Sequence, residues 1–228
     1  MATFLELCQM VARESGTISG VQPTSVASQT GRLAKIVAWT NNAWIDIQNR
    51  RTSWLWMRKE FTGLAIANTS RYTPAAWNIT DLARWITDSG MTTMYDTSIG
   101  VSDEGELPSS TWPEWKQQYD RGVQTPARPV TFSITPANEF ALGPVPDTGY
   151  TVRGEYVQVP QSLVLNSDVP GLPARFHSII AYRALMMLAG HDEAPTTYAE
   201  AQSNFNSLMI DLERDQLPTW GSGAGPLA

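Results

Sequence analysis

The amino-acid sequence predicts an α+β fold: a four-helix bundle formed by N- and C-terminal helix pairs, a β-rich insertion lobe between them, and a flexible C-terminal arm. Three observations carry this expectation. Apolar residues recur at helical period near both ends of the chain, they alternate at period two in the middle, and the final residues are Gly-rich without a charged side chain. The expected boundaries are residues 1–51 and 170–216 for the bundle, 52–169 for the insertion and 217–228 for the arm.

The first helix is predicted over residues 4–15, because Thr3-Phe4-Leu5-Glu6 has capping-box spacing and Phe4, Leu7, Cys8 and Val11 then share one face until Ser15-Gly16. After a loop rich in Ser, Thr and Gly, a second helix runs to Arg50, with Leu33, Ile36, Val37, Thr40, Trp44 and Ile47 on its stripe. From Trp54-Leu55-Trp56 onward the pattern is extended. Val130, Phe132 and Ile134 alternate with Thr and Ser, Tyr150, Val152, Gly154 and Tyr156 alternate with polar residues, and Phe140 to Leu142 reads as a further short strand. Short helical signals lie at Asp81 to Ile86 and Pro113 to Tyr119. Helix returns after Pro173 with an apolar run, Phe176 to Leu188, too wide for one stripe, so this helix should be covered on most sides. The last helix starts at Pro195 and carries Tyr198, Ala201, Phe205, Leu208, Met209 and Leu212 on a 3.6-period face before Leu217-Pro218 stops it.

Composition narrows the function classes. Charged residues make up only 17% of the chain while there are nine Trp residues, which suggests that surface is hidden in an assembly, although a core role is as good a reading for any single Trp. A formal net charge of −6 opposes tight binding to a phosphate backbone, where affinity comes from Lys and Arg displacing counterions. The single Cys8 leaves no intramolecular disulfide and no Cys-based zinc site. No apolar stretch approaches the roughly 20 residues of a membrane span, and no charged leader opens the sequence, so a soluble, unexported chain is expected.

Catalysis needs a nucleophile, a base or a metal held by neighbours, and the inventory is thin. His177 and His191 sit about 21 Å apart by helical rise and cannot share a ligand within one subunit. Asp103-Glu104-Gly105-Glu106 lacks the alternation of an EF-hand loop and reads as a solvated acidic turn. Asp211, Glu213 and Asp215 fall on different helix faces. Gly221-Ser222-Gly223-Ala224-Gly225 has neither the strand before it nor the helix after it that a phosphate loop requires. No cofactor, metal site or catalytic residue is expected.

Several segments together resemble a family of tailed-bacteriophage head-to-tail adaptor (connector) proteins. They are Phe4-Leu5-Glu6-Leu7-Cys8-Gln9, Thr30-Gly31-Arg32-Leu33-Ala34-Lys35-Ile36-Val37 with Trp39, and Ala43-Trp44-Ile45-Asp46-Ile47-Gln48 followed by Trp54-Leu55-Trp56-Met57. Further on come Tyr150-Thr151-Val152-Arg153-Gly154-Glu155-Tyr156, Leu172-Pro173-Ala174-Arg175-Phe176-His177 and Leu212-Glu213-Arg214-Asp215-Gln216-Leu217-Pro218. The resemblance implies a structural virion protein of the neck, made in the host cytoplasm, that docks as a ring on the portal protein. The ring is expected to be a dodecamer of this chain that extends the DNA channel and offers a platform to tail or nozzle proteins, with genomic DNA passing through without specific binding and no membrane involved. On this reading Leu217, Pro218, Trp220 and Leu227 are candidate portal contacts, and Trp54, Trp56, Trp112 and Trp115 candidate contacts to neighbouring subunits or the tail. The rival readings are another virion ring component, such as a tail-completion or tube-terminator protein, and a small metal-dependent hydrolase or nuclease using Asp103 and Glu104.

Overall fold

The computed structural model describes residues 1–16 and 22–217. Its helices, in chain order, are α1 (Phe4–Glu14), α2 (Gly31–Asn49), α3 (Trp112–Tyr119), α4 (Ser178–His191) and α5 (Pro195–Gln216). Its strands are β1 (Arg58–Ala65), β2 (Arg71–Tyr72), β3 (Leu82–Trp85), β4 (Thr93–Asp96), β5 (Gly105–Glu106), β6 (Thr131–Ile134), β7 (Phe140–Gly143) and β8 (Tyr150–Gln158). They divide into two compact units, a helical one from Met1–Met57 and Pro160–Ala228 and a β-rich lobe from Arg58–Val159.

In the helical unit, α1 begins where the sequence places it. The Thr3 hydroxyl accepts the Glu6 N–H at 3.3 Å and the Glu6 carboxylate accepts the Thr3 N–H at 2.8 Å, while the Phe4 N–H reaches the Asp168 carbonyl at 2.7 Å. Helix-start amides that would otherwise lack partners are thus satisfied. Phe4, Leu7, Cys8, Val11 and Ala12 are buried on its inner face.

The four-helix bundle expected from the periodicity is not formed. The hub is α4, buried at Ile179, Ile180, Ala181, Ala184, Leu185, Met186, Leu188 and Ala189, and α1, α2 and α5 all pack on it. Helices α1 and α2 also pack on each other, whereas α5 lays a single stripe of Ala201, Phe205, Met209 and Leu212 mainly against α4. A bundle requires every helix to turn one stripe toward a shared axis. Here a helix apolar on most sides occupies that axis itself, so its neighbours surround it.

The end of α2 is finished by aromatic side chains. The Trp54 indole is fully buried, and its Nε1–H lies 3.2 Å from the carbonyls of both Gln48 and Ile47 near the helix end, the latter also accepting the Arg50 N–H at 3.3 Å. Trp56 stacks on Trp54 at 4.3 Å between ring centroids and reaches Trp44 at 6.5 Å. Beside them the buried Gln48 amide donates to the Gln161 carbonyl at 2.9 Å and accepts the Gln161 N–H at 2.7 Å.

In the lobe, β8 is the organising strand. One edge pairs antiparallel with β1 over eight positions, from Arg58↔Val157 to Ala65↔Tyr150, and the other edge is shared between β3 and β4. Strand β5 extends β4, and a second antiparallel sheet runs in the order β2-β7-β6. The two sheets share one core: Phe61, Trp85, Met94, Val152 and Tyr156 of the first meet Tyr72, Phe132, Phe140 and Leu142 of the second, with Trp77 and Ile79 from the connection between them. Trp77 stacks with Phe61 at 5.4 Å and with Tyr72 at 5.2 Å, and Phe132 stacks on Phe140 at 4.5 Å. Two glycines make room for these rings. A Cβ on Gly63 would lie 2.2 Å from Trp77 Cδ2, and one on Gly154 would lie 2.8 Å from Phe61 Cε1.

The helical signal at Asp81 to Ile86 is a strand instead: β3 pairs with β8 through Arg84↔Val157 and Trp85↔Tyr156. Leu82, Trp85 and Ile86 have the spacing of a helix turn, but over so short a stretch the ladder along β8 decides the conformation. The signal at Pro113 to Tyr119 is a helix, α3, closed at its start by a Thr111–Glu114 capping box.

Candidate interaction surfaces

Several of the groups capable of chemistry are engaged by the fold. His177 is 3% exposed, its Nε2 is 3.1 Å from the Leu172 carbonyl and its Nδ1 is 3.0 Å from the Ala2 N–H. Nδ1 also lies 3.1 Å from the Ala2 carbonyl, so the ring ties Ala2 to the residue that precedes α4. Cys8 is buried on α1, and burial pushes its thiol up to about 12.

In the acidic turn, Asp103 accepts the Asp96 N–H at 2.8 Å and faces Arg128 at 2.8 Å; the amide first and the guanidinium second hold its carboxyl below the ordinary range. Glu104 accepts from the Thr93 hydroxyl at 2.5 Å and lies 3.5 Å from Arg153, and Glu106 accepts from Ser89 and the Gly90 N–H. Each carboxylate thus has its own local donors. Among the described residues, no group of three or more His, Cys, Asp or Glu side chains is placed to hold a metal ion.

A cluster missed in the sequence joins Lys59, Asp81 and Tyr156. Lys59 Nζ is 2.5 Å from Asp81 Oδ2, and the Tyr156 hydroxyl donates to Oδ1 at 2.8 Å. Asp81 is held low chiefly by Lys59, while burial and then the Asp81 contact push the Tyr156 phenol up to about 12. Both shifts move away from neutrality, opposite to the tuning of an acid or base that works near pH 7. The pairing spans 75 residues of sequence, so no local motif announces it.

The candidate interface residues separate by burial. Trp54 and Trp115 are 0% and 1% exposed, so their rings are engaged inside the subunit. Trp56 and Trp112 keep partial exposure. Trp112 stacks on Trp115 at 5.3 Å under the Arg71 guanidinium, and it borders an open groove lined by Thr87, Ser109, Ser110, Ser133 and Ile134. Leu217 is half-buried at the end of α5, with its N–H on the Glu213 carbonyl at 3.1 Å, whereas Pro218, Trp220 and Leu227 lie outside the described residues.

Other exposed surface gave no signal in the sequence. Ile66, Ile99 and Val101 are each more than half exposed in the turns that follow β1 and β4. Those turns are at the Ala65↔Tyr150 end of the β1–β8 ladder, away from the end where the chain crosses between units, and Asn68 and Thr97 both bond to the turn before β8. Among the described residues no helix is long and apolar enough to cross a membrane.

Compared with known proteins, residues 2–227 match the family model described as SU10 adaptor protein. No curated protein matches the chain significantly.

Proposed function

From its place in the SU10 adaptor protein family, to which the chain belongs, we propose that this phage adaptor protein is a structural component of the virion neck rather than an enzyme. It docks as a ring, a dodecamer, on the portal protein, extends the DNA channel and presents a platform to tail or nozzle proteins. The observation that carries this reading is the family match over nearly the whole chain. The engagement of the acidic turn, His177 and Cys8 in local structure is in keeping with it. DNA passes through without tight binding, since a net charge of −6 supplies few cations for phosphate. Sedimentation of the chain with purified portal rings at micromolar concentration tests the reading, and a chain that never co-sediments with portal would count against it.

Of the four candidate tryptophans, Trp56 and Trp112 are left free enough to contribute to subunit or tail contacts, and the segment from Leu217 through Pro218, Trp220 and Leu227 is the portal-binding arm. An apolar anchor repeated around a ring multiplies a modest contact. Removing residues 217–228 is expected to leave thermal unfolding nearly unchanged, because within the described residues it forfeits only the half-buried Leu217 and its one hydrogen bond to Glu213. Affinity for portal rings is expected to fall at least tenfold, about 1.4 kcal/mol. Unchanged affinity in the truncated chain would move docking to another surface.

A further inference from the structure

Helices α2 and α5 each present an exposed face with an unusual charge pattern. In α2, Lys35 is followed by ten residues, Ile36–Ile45, without a charged side chain; in α5, Glu200 is followed by ten, Ala201–Ile210, likewise without one. Solvated helix faces ordinarily carry charge, and its depletion marks the centre of a contact surface. Lys35 and Ala38 on α2, and Glu200, Ser203 and Ile210 on α5, are exposed, Ile210 by 51%, and Ile45 is half-buried. In both helices the residues are spaced by three and then seven, the 3-4 rhythm of a helix–helix seam.

Direction agrees with spacing. Arg32 and Lys35 near the start of α2 bond to Asp192 and His191 at the end of α4, and Asp46 further along α2 bonds to Arg183 in α4, so α2 and α4 are antiparallel. A three-residue turn, Asp192 to Ala194, joins α4 to α5, which packs back along it so that Arg175 before α4 pairs with Asp215 near the end of α5. Helices α2 and α5 therefore run the same way, and Arg51 beyond one meets Glu213 near the end of the other at 2.8 Å.

We propose that α5 of one subunit packs parallel against α2 of the next copy of this chain, with Glu200 beside Lys35, Ser203 beside Ala38 and Ile210 beside Ile45. This deepens the ring reading and rests on it. A closed ring needs two different, mutually complementary surfaces on one subunit. Opposite charges open the seam, small residues follow that let the helices approach, and an apolar pair closes it. Rotation about a ring axis that runs along the helices keeps neighbouring copies of α2 and α5 parallel.

Cysteine pairs in purified virions test the register. Ala38→Cys with Ser203→Cys changes two exposed residues by little volume, and oxidation is expected to yield a ladder of covalent multimers in steps of one chain. Ala38→Cys with Thr196→Cys, displaced by about 10 Å of helical rise, is expected to stay monomeric. Should the first pair stay monomeric while an amine-reactive cross-linker still yields a ladder, the seam is wrong and the ring stands. Should neither treatment yield a ladder, both the ring and the seam are overturned.

Discussion

Trp54→Ala is expected to lower the stability of the helical unit by about 3–5 kcal/mol, the range for deleting a fully buried large aromatic. The ring is fully buried, stacks on Trp56 at 4.3 Å and donates to the last carbonyls of α2. Its removal opens a cavity and takes a side-chain donor away from both carbonyls, although Ile47 keeps the Arg50 N–H. Trp54→Phe, which keeps a ring but no N–H, should lose roughly 1–3 kcal/mol. Urea unfolding followed by circular dichroism separates the two variants. If Trp54→Ala unfolds at the wild-type urea concentration yet fails to assemble, the residue belongs to an intersubunit contact and its internal role is refuted.

Gly63→Ala is expected to destabilise the lobe by about 3 kcal/mol, the upper end of the usual range for overpacking. The new methyl would lie 2.2 Å from Trp77 Cδ2 and 2.3 Å from Cε2, and the indole cannot retreat easily because it stacks with Phe61 and Tyr72 and its Nε1–H is bonded to the Leu64 carbonyl at 3.1 Å. Gly105→Ala, in β5, meets nothing within 4 Å and should change stability by less than about 0.5 kcal/mol. Adding Trp77→Leu to Gly63→Ala should cost less than the sum of the single changes, since the Leu variant removes the indole that the added methyl would strike. Strict additivity in denaturant titrations would show that the clash is relieved elsewhere.

The elements that the sequence made legible have a long, regular pattern. Thr3 and Glu6 marked the start of α1, the apolar stripe of α2 was readable from Leu33 to Ile47, and the width of the apolar run before Leu188 foretold a helix covered on most sides. Alternation found β6 and β8, and the apolar run at Phe140 found β7. Periodicity states that a helix has an inner face but not which helix lies opposite, so α4 as the hub could not be deduced from four stripes. In β3, Leu82 and Trp85 have a spacing that suits either structure, and only β8, some seventy residues later in the sequence, decides between them. The tryptophans were ambiguous for a similar reason. Trp54 and Trp56 are two residues apart, yet one is sealed with its N–H on the Ile47 and Gln48 carbonyls and the other is half-buried, a difference that composition does not carry.

The register of β1 against β8 also bears on the order of folding. Because Arg58 is paired with Val157, the zipped ladder brings together the two points at which the chain leaves and rejoins the helical unit. If the intervening stretch were unstructured, α2 and α4 would have to meet across a floppy loop of about 100 residues, at an entropic cost of roughly 4 kcal/mol. A folded lobe removes most of that cost before α4 arrives. During synthesis, the apolar faces of α1 and α2 wait for a partner encoded in the last quarter of the chain, and the lobe can complete itself in the interval. The lobe thus acts as a clasp, and a variant that slows its closure is expected to prolong the exposure of helices it need not touch.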